Sequence, residues 1–405
     1  MAEKSQFHTR LKLALILAIC AIPSCCEAAA IIWGQYHGMT GKALRDGLDF
    51  WAGGFLLLHR QAPILFDHTA YQSFLQGLYG QLPYHLWSYP PSYGLIASAF
   101  DWLPPWPAVL AFDAATLALL AFVLRLAGKN WWFVAAMLVA PASLENVMEH
   151  QNAALMTALI GGGVLLLGAR PRLAGALIGL ATIKPQLGLV LPLNLLRRSR
   201  LAFAWAVLSA MLLAGASLAV FGPKVWIGFI TFTSPAMSNV LLTGQPPDFA
   251  GGLISVFALA KPFIGTHGAL LAQGVASLAC IAAALFTRSP AALLVLSALA
   301  SPYLHVYDLL GASLAVALLV QDRLRHGFFP GEPVLFFLVW FGPGLLPWMP
   351  RFAHLAPVLL LLLLASAWRR GGVAPCDSLP AQPGSPGSSA GRSPIPAPPE
   401  STAHG

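Results

Sequence analysis

Charged side chains are scarce in this sequence. Asp, Glu, Lys and Arg together make up 9% of its 405 residues, whereas a soluble globular domain carries roughly 25%. So few charges exclude an ordinary water-exposed fold. Hydrophobic residues make up 57% of the chain and the mean hydropathy is +0.71. This composition is typical of a protein embedded in a membrane.

Cysteine is also rare, and its spacing matches neither a metal site nor a disulfide framework. No two of the five cysteines form a CxxC pair, and most lie in apolar runs, which favours small buried side chains. They are Cys20, Cys25, Cys26, Cys280 and Cys376. The histidines form no HxxxH pair, and no basic stretch has interleaved aromatic residues. The sequence therefore predicts no metal site and no nucleic-acid partner.

Long apolar runs are what the sequence does have. Several reach the roughly 18–20 residues that cross a bilayer as a helix. The long runs are 11–32, 107–124, 201–221, 269–286, 304–320, 334–346 and 353–368. Shorter runs lie at 131–139, 153–167, 173–183, 187–196 and 291–300. Because lipid offers no hydrogen-bond partners to the backbone, we predict an all-α polytopic membrane protein with about 10–13 transmembrane helices, the first of them uncleaved.

Basic residues in the short links predict the orientation. They cluster at Arg125/Lys129, Arg170/Arg172, Arg197/Arg198/Arg200, Arg288, Arg323/Arg325 and Arg369/Arg370. The positive-inside rule makes this face cytoplasmic. Residues 33–93, a link near 145–151, the stretch 222–251 and the link 301–305 then lie outside. The tail 371–405, rich in Pro, Gly and Ser, is predicted to be disordered in the cytoplasm.

The external segment 33–93 carries the first candidate residue. Its stretches DFWAGGFLLLH and HTAYQSFLQGLYG predict two short surface helices, and Pro90-Pro91 is expected to break a helix. Asp49 lies at the start of the first of these helices. Two interpretations stay open for its carboxylate: an N-cap for the helix, or a chemical role at the membrane surface.

Two further polar positions lie in apolar surroundings. Lys184 precedes a helix-breaking proline, Pro185, and such a lysine either reaches the surface or faces a polar cavity. His305 and Asp308 are three apart, so they are expected on one face of a helix, either as a structural pair or as part of a site. Gln151-Asn152 is expected to open another helix.

Four motifs in order resemble glycosyltransferase family 87 of the GT-C superfamily, the polyprenyl-phosphate-mannose-dependent alpha-1,2-mannosyltransferases. They are GLDFWAGGFLLLHRQAPILFD, YPPSYGL, HQN followed by GGGVLLLGARPRLAGALIGLATIKPQ, and SPYLHVYDL. The resemblance covers about residues 10–368. It implies a GT-C-like transmembrane domain over residues 1–370 with an external catalytic loop at 33–93. It also implies a catalytic Asp in the position of Asp49, and places Lys184-Pro185 and His305 in later family motifs.

The resemblance implies an inverting transfer of a mannose-like hexose from a polyprenyl-phosphate donor to an envelope glycolipid or glycan. The enzyme would be multi-pass in the inner (plasma) membrane, with its active site on the external or periplasmic side and no cofactor. A single base suffices for such a displacement, so Asp49 is the predicted catalytic base. Lys184, His305 and Arg45 are candidates to stabilise the departing phosphate. Asp46, Gln151 and Tyr89 are further substrate-binding candidates.

Two other interpretations of the sequence stay open. A transporter or flippase of lipid-linked sugars also needs many spans and intramembrane polar residues, but no internal repeat is evident. A scaffold subunit of an envelope complex would need none of the candidate side chains. The scaffold interpretation predicts that replacing Asp49 by Asn leaves every transfer activity unchanged.

Overall fold

The computed structural model describes residues 29, 33, 44–80, 82–244 and 252–369. The predicted first span, 11–32, lies outside these residues apart from residue 29, and so does the predicted disordered tail, 371–405. The residues that are described all belong to one compact unit of the chain, Met1–Val373.

The described part of the chain is all helical and contains no strand, which confirms the predicted fold class. Its helices are α1 (Gly47–Leu58), α2 (Ala62–Phe66), α3 (His68–Tyr79), α4 (Pro91–Ser98), α5 (Pro105–Leu126), α6 (Trp131–Leu138), α7 (Pro141–Met148), α8 (Ala153–Leu166), α9 (Pro171–Leu180), α10 (Leu191–Arg198), α11 (Arg200–Phe221), α12 (Pro223–Thr243), α13 (Val256–Phe286), α14 (Pro290–Ala300), α15 (Leu310–His326), α16 (Glu332–Leu345) and α17 (Ala356–Trp368). Short 3₁₀ turns lie at Ala181–Ile183, Pro185–Leu187, Tyr307–Leu309 and Pro350–Leu355.

Five helical segments in the described residues are long and apolar enough to cross a membrane, or six if the bent pair α6–α7 forms one span. The five are α5, α11, α12, α13 and Arg351–Trp368, which includes α17. Five shorter apolar helices accompany them, at α1, α8, Pro171–Ile183, α14 and α16. The chain is therefore a polytopic membrane protein, while the total of 10–13 crossings stays a prediction.

Helix α12 occupies most of the stretch 222–251 that the sequence predicts as an external link. Its length and composition would allow it to cross a membrane. Both halves of α12 contact segments that the sequence predicts to be external, because Gly228 packs on Phe66 of α2 and the Tyr303 hydroxyl donates to the Met237 carbonyl at 3.0 Å. Where the sequence predicts a link, the structure thus has a helix long and apolar enough to span a membrane.

The two predicted surface helices are present as α1 and α3, joined by α2. The expectation for Pro90-Pro91 is wrong. Residues 82–89 form no helix, and Pro91 begins α4 instead of ending a helix. Proline suits the first turn of a helix, because the backbone N–H that it lacks would have no partner there. Helix α4 packs on α1, and the pair contacts the C-terminal end of α11 through Gly94 and Phe221.

Small residues allow α9 and α11 to pack at close range. A Cβ atom added to Gly175 would overlap the Ala202 carbonyl, and one added to Gly179 would overlap the Ala206 carbonyl and the Ser209 hydroxyl. Glycines four residues apart let two helix backbones approach in this way inside membranes. The contact fixes the start of α11, where the basic residues lie, against the middle of the helical bundle.

Candidate functional site

Asp49 lies in the first turn of α1, and its carboxylate binds side chains from two other segments. Oδ1 accepts a hydrogen bond from the Tyr71 hydroxyl of α3 at 2.6 Å. Oδ2 lies 2.9 Å from Nδ1 of His85, in the extended segment before α4. The Asp49 residue is 8% exposed. The N-cap interpretation of Asp49 is wrong, because residue 46 occupies the cap position and α1 has no side-chain cap.

The two partners of Asp49 have shifted pKa values. Burial lowers the pKa of His85, but the charge and hydrogen bond of Asp49, together with the charge of Asp46, outweigh burial, and the net effect is a raised pKa. Burial and the Asp49 carboxylate raise the pKa of the Tyr71 hydroxyl well above its ordinary value. Tyr71 therefore stays a hydrogen-bond donor, and His85 gains a proton more readily than a free histidine.

Asp46, Gln151 and Tyr89 form one hydrogen-bonded chain. The Gln151 amide donates to Asp46 Oδ2 at 2.7 Å, and its carbonyl oxygen accepts the Tyr89 hydroxyl at 2.9 Å. Burial, followed by repulsion from Asp49, raises the pKa of Asp46. Asp46 is thus a carboxyl that protonates more easily than a free aspartate, and an amide holds it. The substrate-binding role of Asp46, Gln151 and Tyr89 stays a prediction.

Arg45 is paired with Glu149, and both side chains are partly buried. The backbone of Arg45 is left-handed, with φ 44°, a conformation that costs a residue with a Cβ roughly 1–2 kcal/mol. Because Glu149 already neutralises the guanidinium, Arg45 offers a substrate phosphate less attraction than its position in the sequence suggests.

His150, which follows Glu149, resembles Arg45 in two respects: a left-handed backbone and a carboxylate partner. Its backbone is also left-handed, with φ 50°, and its Nδ1 lies 2.7 Å from Oδ2 of Asp113 on span α5. Gly47 of α1 packs on the His150 side chain, at a point where a Cβ would come within 2.7 Å. His150 is therefore anchored to α5 and α1, between Glu149 and Gln151, which bind Arg45 and Asp46.

Lys184 is buried beside acceptors from two other segments. Its Nζ lies 2.6 Å from Asp308 Oδ1 and 3.5 Å from Asn152 Oδ1, and it stands 5.1 Å from the ring centroid of Tyr307. The predicted break at Lys184-Pro185 is confirmed, since two 3₁₀ turns replace the helix there. With 6% exposure, Lys184 faces a polar interior. Snorkelling to the surface is therefore excluded.

His305 does not share a helical face with Asp308. It precedes the 3₁₀ turn Tyr307–Leu309, and its backbone N–H donates to Asp308 Oδ2 at 3.2 Å. The imidazole stacks on the Tyr307 ring, with 5.3 Å between centroids. Burial lowers the pKa of His305 to about 4. At neutral pH His305 is uncharged, so it can donate a hydrogen bond to a phosphate but cannot supply a positive charge.

All seven predicted site residues lie in one polar cluster, although they come from segments far apart in the chain. They are Asp49, Lys184, His305, Arg45, Asp46, Gln151 and Tyr89. Tyr307 interacts with both ends of the cluster, Asp308 on one side and Asp46 on the other. Burial is the main cause that raises the pKa of its hydroxyl, and the charges of these two carboxylates raise it further. We call this set, with Tyr71, His85, Asn152, Tyr307 and Asp308, the Asp49 cluster.

Sequence reasoning missed Tyr71, His85 and Asn152 as members of the cluster. His85 is 36 positions from Asp49, in a segment without helical periodicity, and no spacing rule connects the two. Its only signal was a histidine inside the long external segment. Within the described ranges, no three His, Cys, Asp or Glu side chains are placed to hold a metal ion.

An apolar groove adjoins the cluster at Asp308. Met156, Ile160, Leu187 and Leu294 contribute to its walls. Helix α8 widens to a π-helical turn at Thr157–Gly161, where it lines this groove. Such turns are rare and occur frequently at functional sites. A polar cluster that continues into an apolar groove suits a ligand with a charged head and a hydrocarbon tail.

The sequence that carries this cluster matches a known protein family. The model of glycosyltransferase family 87 matches residues 87–304, more than half of the chain. The chain belongs to glycosyltransferase family 87. No curated protein and no solved structure gives a significant match.

Membership of family 87 makes the chain a glycosyltransferase, and nothing in the comparisons supports the transporter alternative. The match includes Tyr89, Gln151 and Lys184, begins after Asp49 and ends one residue before His305. The roles of Asp49 and His305 in this family 87 chain therefore rest on the geometry of the Asp49 cluster.

Proposed function

We propose that this glycosyltransferase moves a mannose-like hexose from a polyprenyl-phosphate donor to an envelope glycolipid or glycan, with inversion at the anomeric carbon. The reaction takes place at the external face of the inner membrane, at the Asp49 cluster. The observation that carries the proposal is the Asp49 carboxylate, which is buried and held by Tyr71 and His85 beside a cluster that contains Lys184.

In this mechanism Asp49 is the base. The acceptor hydroxyl oxygen forms a bond to the anomeric carbon, while the bond from that carbon to the phosphate oxygen breaks. The hydroxyl proton passes to Asp49, and the bonding electron pair leaves with the phosphate. Each carboxylate oxygen has two lone pairs, so Asp49 can accept the proton while Tyr71 and His85 keep it oriented. A positively charged His85 would favour the ionised base before the proton arrives.

Lys184 is the cation that we assign to the departing phosphate, because its ammonium group is buried next to the apolar groove at Asp308, whereas His305 is neutral. In the structure Lys184 binds Asp308 at 2.6 Å, so the phosphate must share the ammonium group with that carboxylate or replace it. Lysine has three N–H donors, which allows sharing. His305 and the Tyr89 hydroxyl are the neighbouring neutral donors for the phosphate or the sugar.

The apolar groove beside Asp308 supports a donor with an isoprenoid chain. Most of its wall residues are apolar, with Thr157 and Ser297 as exceptions, and it adjoins the carboxylate of Asp308, which binds Lys184. A phosphate bound to Lys184 would therefore have a path for its lipid tail directly beside it. This arrangement favours a lipid-linked donor over a water-soluble nucleotide sugar.

The basic ends of the spans support an external site. Phe221, at one end of α11, packs on α4 beside the cluster, whereas Arg200 begins the other end. At about 1.5 Å per residue, the 22 residues of α11 separate the two ends by about 33 Å. The Asp49 cluster and the basic residues near Arg200 thus belong to opposite faces of the membrane, and the positive-inside rule makes the basic face cytoplasmic.

The experiment incubates the purified protein in nanodiscs with polyprenyl-phosphate-linked sugars and an envelope lipid extract, and identifies products by mass spectrometry. We expect a hexose-bearing product that depends on the lipid-linked donor, with inverted anomeric configuration. Asp49→Asn should lower its rate of formation by about 10²–10⁴-fold. Asp67→Asn is the matched control, because Asp67 is in the same segment and caps α3, a task that Asn also performs. A product formed only from a nucleotide sugar would refute the donor assignment.

A further inference from the structure

A group of arginines gathers at the membrane face opposite the Asp49 cluster. Arg197 and Arg198 end α10, Arg200 begins α11, and Arg288 lies between α13 and α14. The Asn194 amide joins these segments, since it donates to the carbonyl oxygens of Ala284 at 2.6 Å and Thr287 at 3.1 Å. The hydrogen bonds fix the residue before Arg288 against α10.

The charges of this group are not balanced inside the protein. Among the described residues, no ion pair is formed by Arg197, Arg198, Arg200 or Arg288. Nη1 of Arg198 is buried and has no hydrogen-bond partner in the same part of the chain. Burial and the charge of Arg288 lower the pKa of Arg198. A buried guanidinium donor next to a second arginine is costly unless an anion accompanies them.

The C-terminus of α10 accounts for only part of this arrangement. Free carbonyls at a helix C-terminus attract cations, which explains Arg197 and Arg198. They do not explain why Arg288, from another segment, is placed beside Arg198. An anion bound between the two would balance both charges and give Arg198 Nη1 an acceptor.

The apolar surface next to the arginines indicates the source of the anion. Phe286 is 73% exposed at the end of α13, and its ring lies 4.7 Å from the Arg197 guanidinium. Leu196 and Leu201 are also exposed beside the group. An anionic phospholipid fits both features at once, because its acyl chains can lie along this hydrocarbon surface while its headgroup reaches the arginines.

We propose that Arg198 and Arg288 form a binding site for the phosphate of an anionic phospholipid, at the face opposite the Asp49 cluster. The Asn194 hydrogen bonds hold the backbone next to Arg288 against α10, which carries Arg198, and the acyl chains lie along Phe286 and the start of α11. The lipid is a bound component that joins α10, α11 and α13. The site does not depend on the transferase chemistry.

The test measures binding of phosphatidylglycerol to the detergent-purified full chain by native mass spectrometry. Phosphatidylcholine and inorganic phosphate are run in parallel. One basic residue near a membrane contributes about 1 kcal/mol, so we expect Arg288→Gln and Arg198→Gln each to weaken phosphatidylglycerol binding about fivefold. Arg172→Gln removes the same charge from an exposed position in the same set of basic links, and it should leave binding unchanged.

Two results would overturn the site. Equal weakening by Arg172→Gln would show that general surface charge holds the lipid. Full displacement of phosphatidylglycerol by inorganic phosphate at matched concentration would show a site for free anions instead of a lipid. Arg288 is exposed, so Arg288→Gln should fold normally. Its phosphatidylglycerol affinity tests the site even if replacement of Arg198 disturbs folding. Neither result bears on sugar transfer, so failure here leaves the proposed function intact.

Discussion

Lys184 and Asp308 lie 124 positions apart in the chain and form a buried ion pair, with 2.6 Å between Nζ and Oδ1. The pair connects the break after α9 to the turn before α15. The pair thus brings two of the four family motifs into the same site: the one that contains Lys184 and the one that contains His305. Removing either partner would leave the other charge buried and uncompensated, so the pair holds these two segments together.

We predict that Lys184→Met destabilises the protein by about 3–5 kcal/mol, because the change leaves Asp308 charged and buried. Adding Asp308→Asn to Lys184→Met should restore most of the thermal stability, since no unpaired charge remains. Transfer should stay lost in the double variant, and donor binding should weaken more than acceptor binding. Unfolding temperature and donor affinity in nanodiscs measure the two effects. Full donor affinity in the double variant would remove Lys184 from the phosphate site.

For Asp49, we predict that Asp49→Asn lowers the transfer rate by about 10²–10⁴-fold, the usual contribution of a general base. The amide keeps the size of the side chain and can still accept from Tyr71. Asp46→Asn should cost much less, because an amide can still bond to Gln151 after its own rotation. Single-turnover transfer assays compare the two. Loss of activity in Asp46→Asn with retention in Asp49→Asn would exchange the roles of the two carboxylates.

His85 predicts a dependence of stability on pH. Its pKa is raised in the folded protein, so it contributes stability below the unfolded value of about 6.5 and loses that contribution as pH rises through the folded pKa. His85→Asn keeps a donor near Asp49 Oδ2 without a titrating charge. Unfolding temperature measured between pH 5 and 8.5 should therefore fall less with rising pH in His85→Asn than in the parent. Identical slopes would refute the Asp49–His85 ion pair.

The close contact between Gly175 and the Ala202 carbonyl predicts that a larger side chain at position 175 destabilises the packing of α9 on α11. Gly175→Val would force the two backbones apart, and overpacking of this kind costs about 1–3 kcal/mol or more. Gly215→Ala is the control, because no atom lies within 4 Å of its added Cβ and alanine favours helix. Thermal unfolding of both variants in detergent measures the difference. A Gly175→Val variant as stable as the parent would contradict the close contact with Ala202.

The orientation predicts which cysteines react in intact cells. In a background without the five native cysteines, Gln61→Cys should react with a membrane-impermeant maleimide, because Gln61 is exposed in the external segment. Arg172→Cys, in a basic link, should react only after permeabilisation. The reverse pattern would place the Asp49 cluster in the cytoplasm and refute the external reaction.

The sequence predicted the helices better than it predicted their contacts. Apolar spacing located α1 and α3, and Lys184-Pro185 located the break after α9, because these are local effects of side-chain period and proline chemistry. The role of Asp49 as a cap was wrong because the carboxylate is drawn to Tyr71 and His85, which come from other segments. Local periodicity also misjudged His305 and Asp308, where a turn replaces the expected helix.

The family resemblance identified Asp49, Lys184 and His305, which the structure brings into one cluster, but it gave no charge states. Arg45 has a carboxylate partner, and His305 is neutral at pH 7 with a pKa of about 4. Both facts arise from packing among distant segments, which no spacing in the sequence encodes. The sequence alone therefore does not show how many positive charges are available to a phosphate, whereas the structure does.

The Asp113–His150 pair couples the site mechanically to the bilayer. Asp113 belongs to span α5, and it holds the left-handed His150, whose neighbours Glu149 and Gln151 are the partners of Arg45 and Asp46. A change in bilayer thickness can tilt a membrane-spanning helix. A tilt of α5 would move Asp113 and, with it, His150. It would move Glu149 and Gln151 together, and it would press on Gly47 of α1, which packs on the His150 side chain two residues before Asp49.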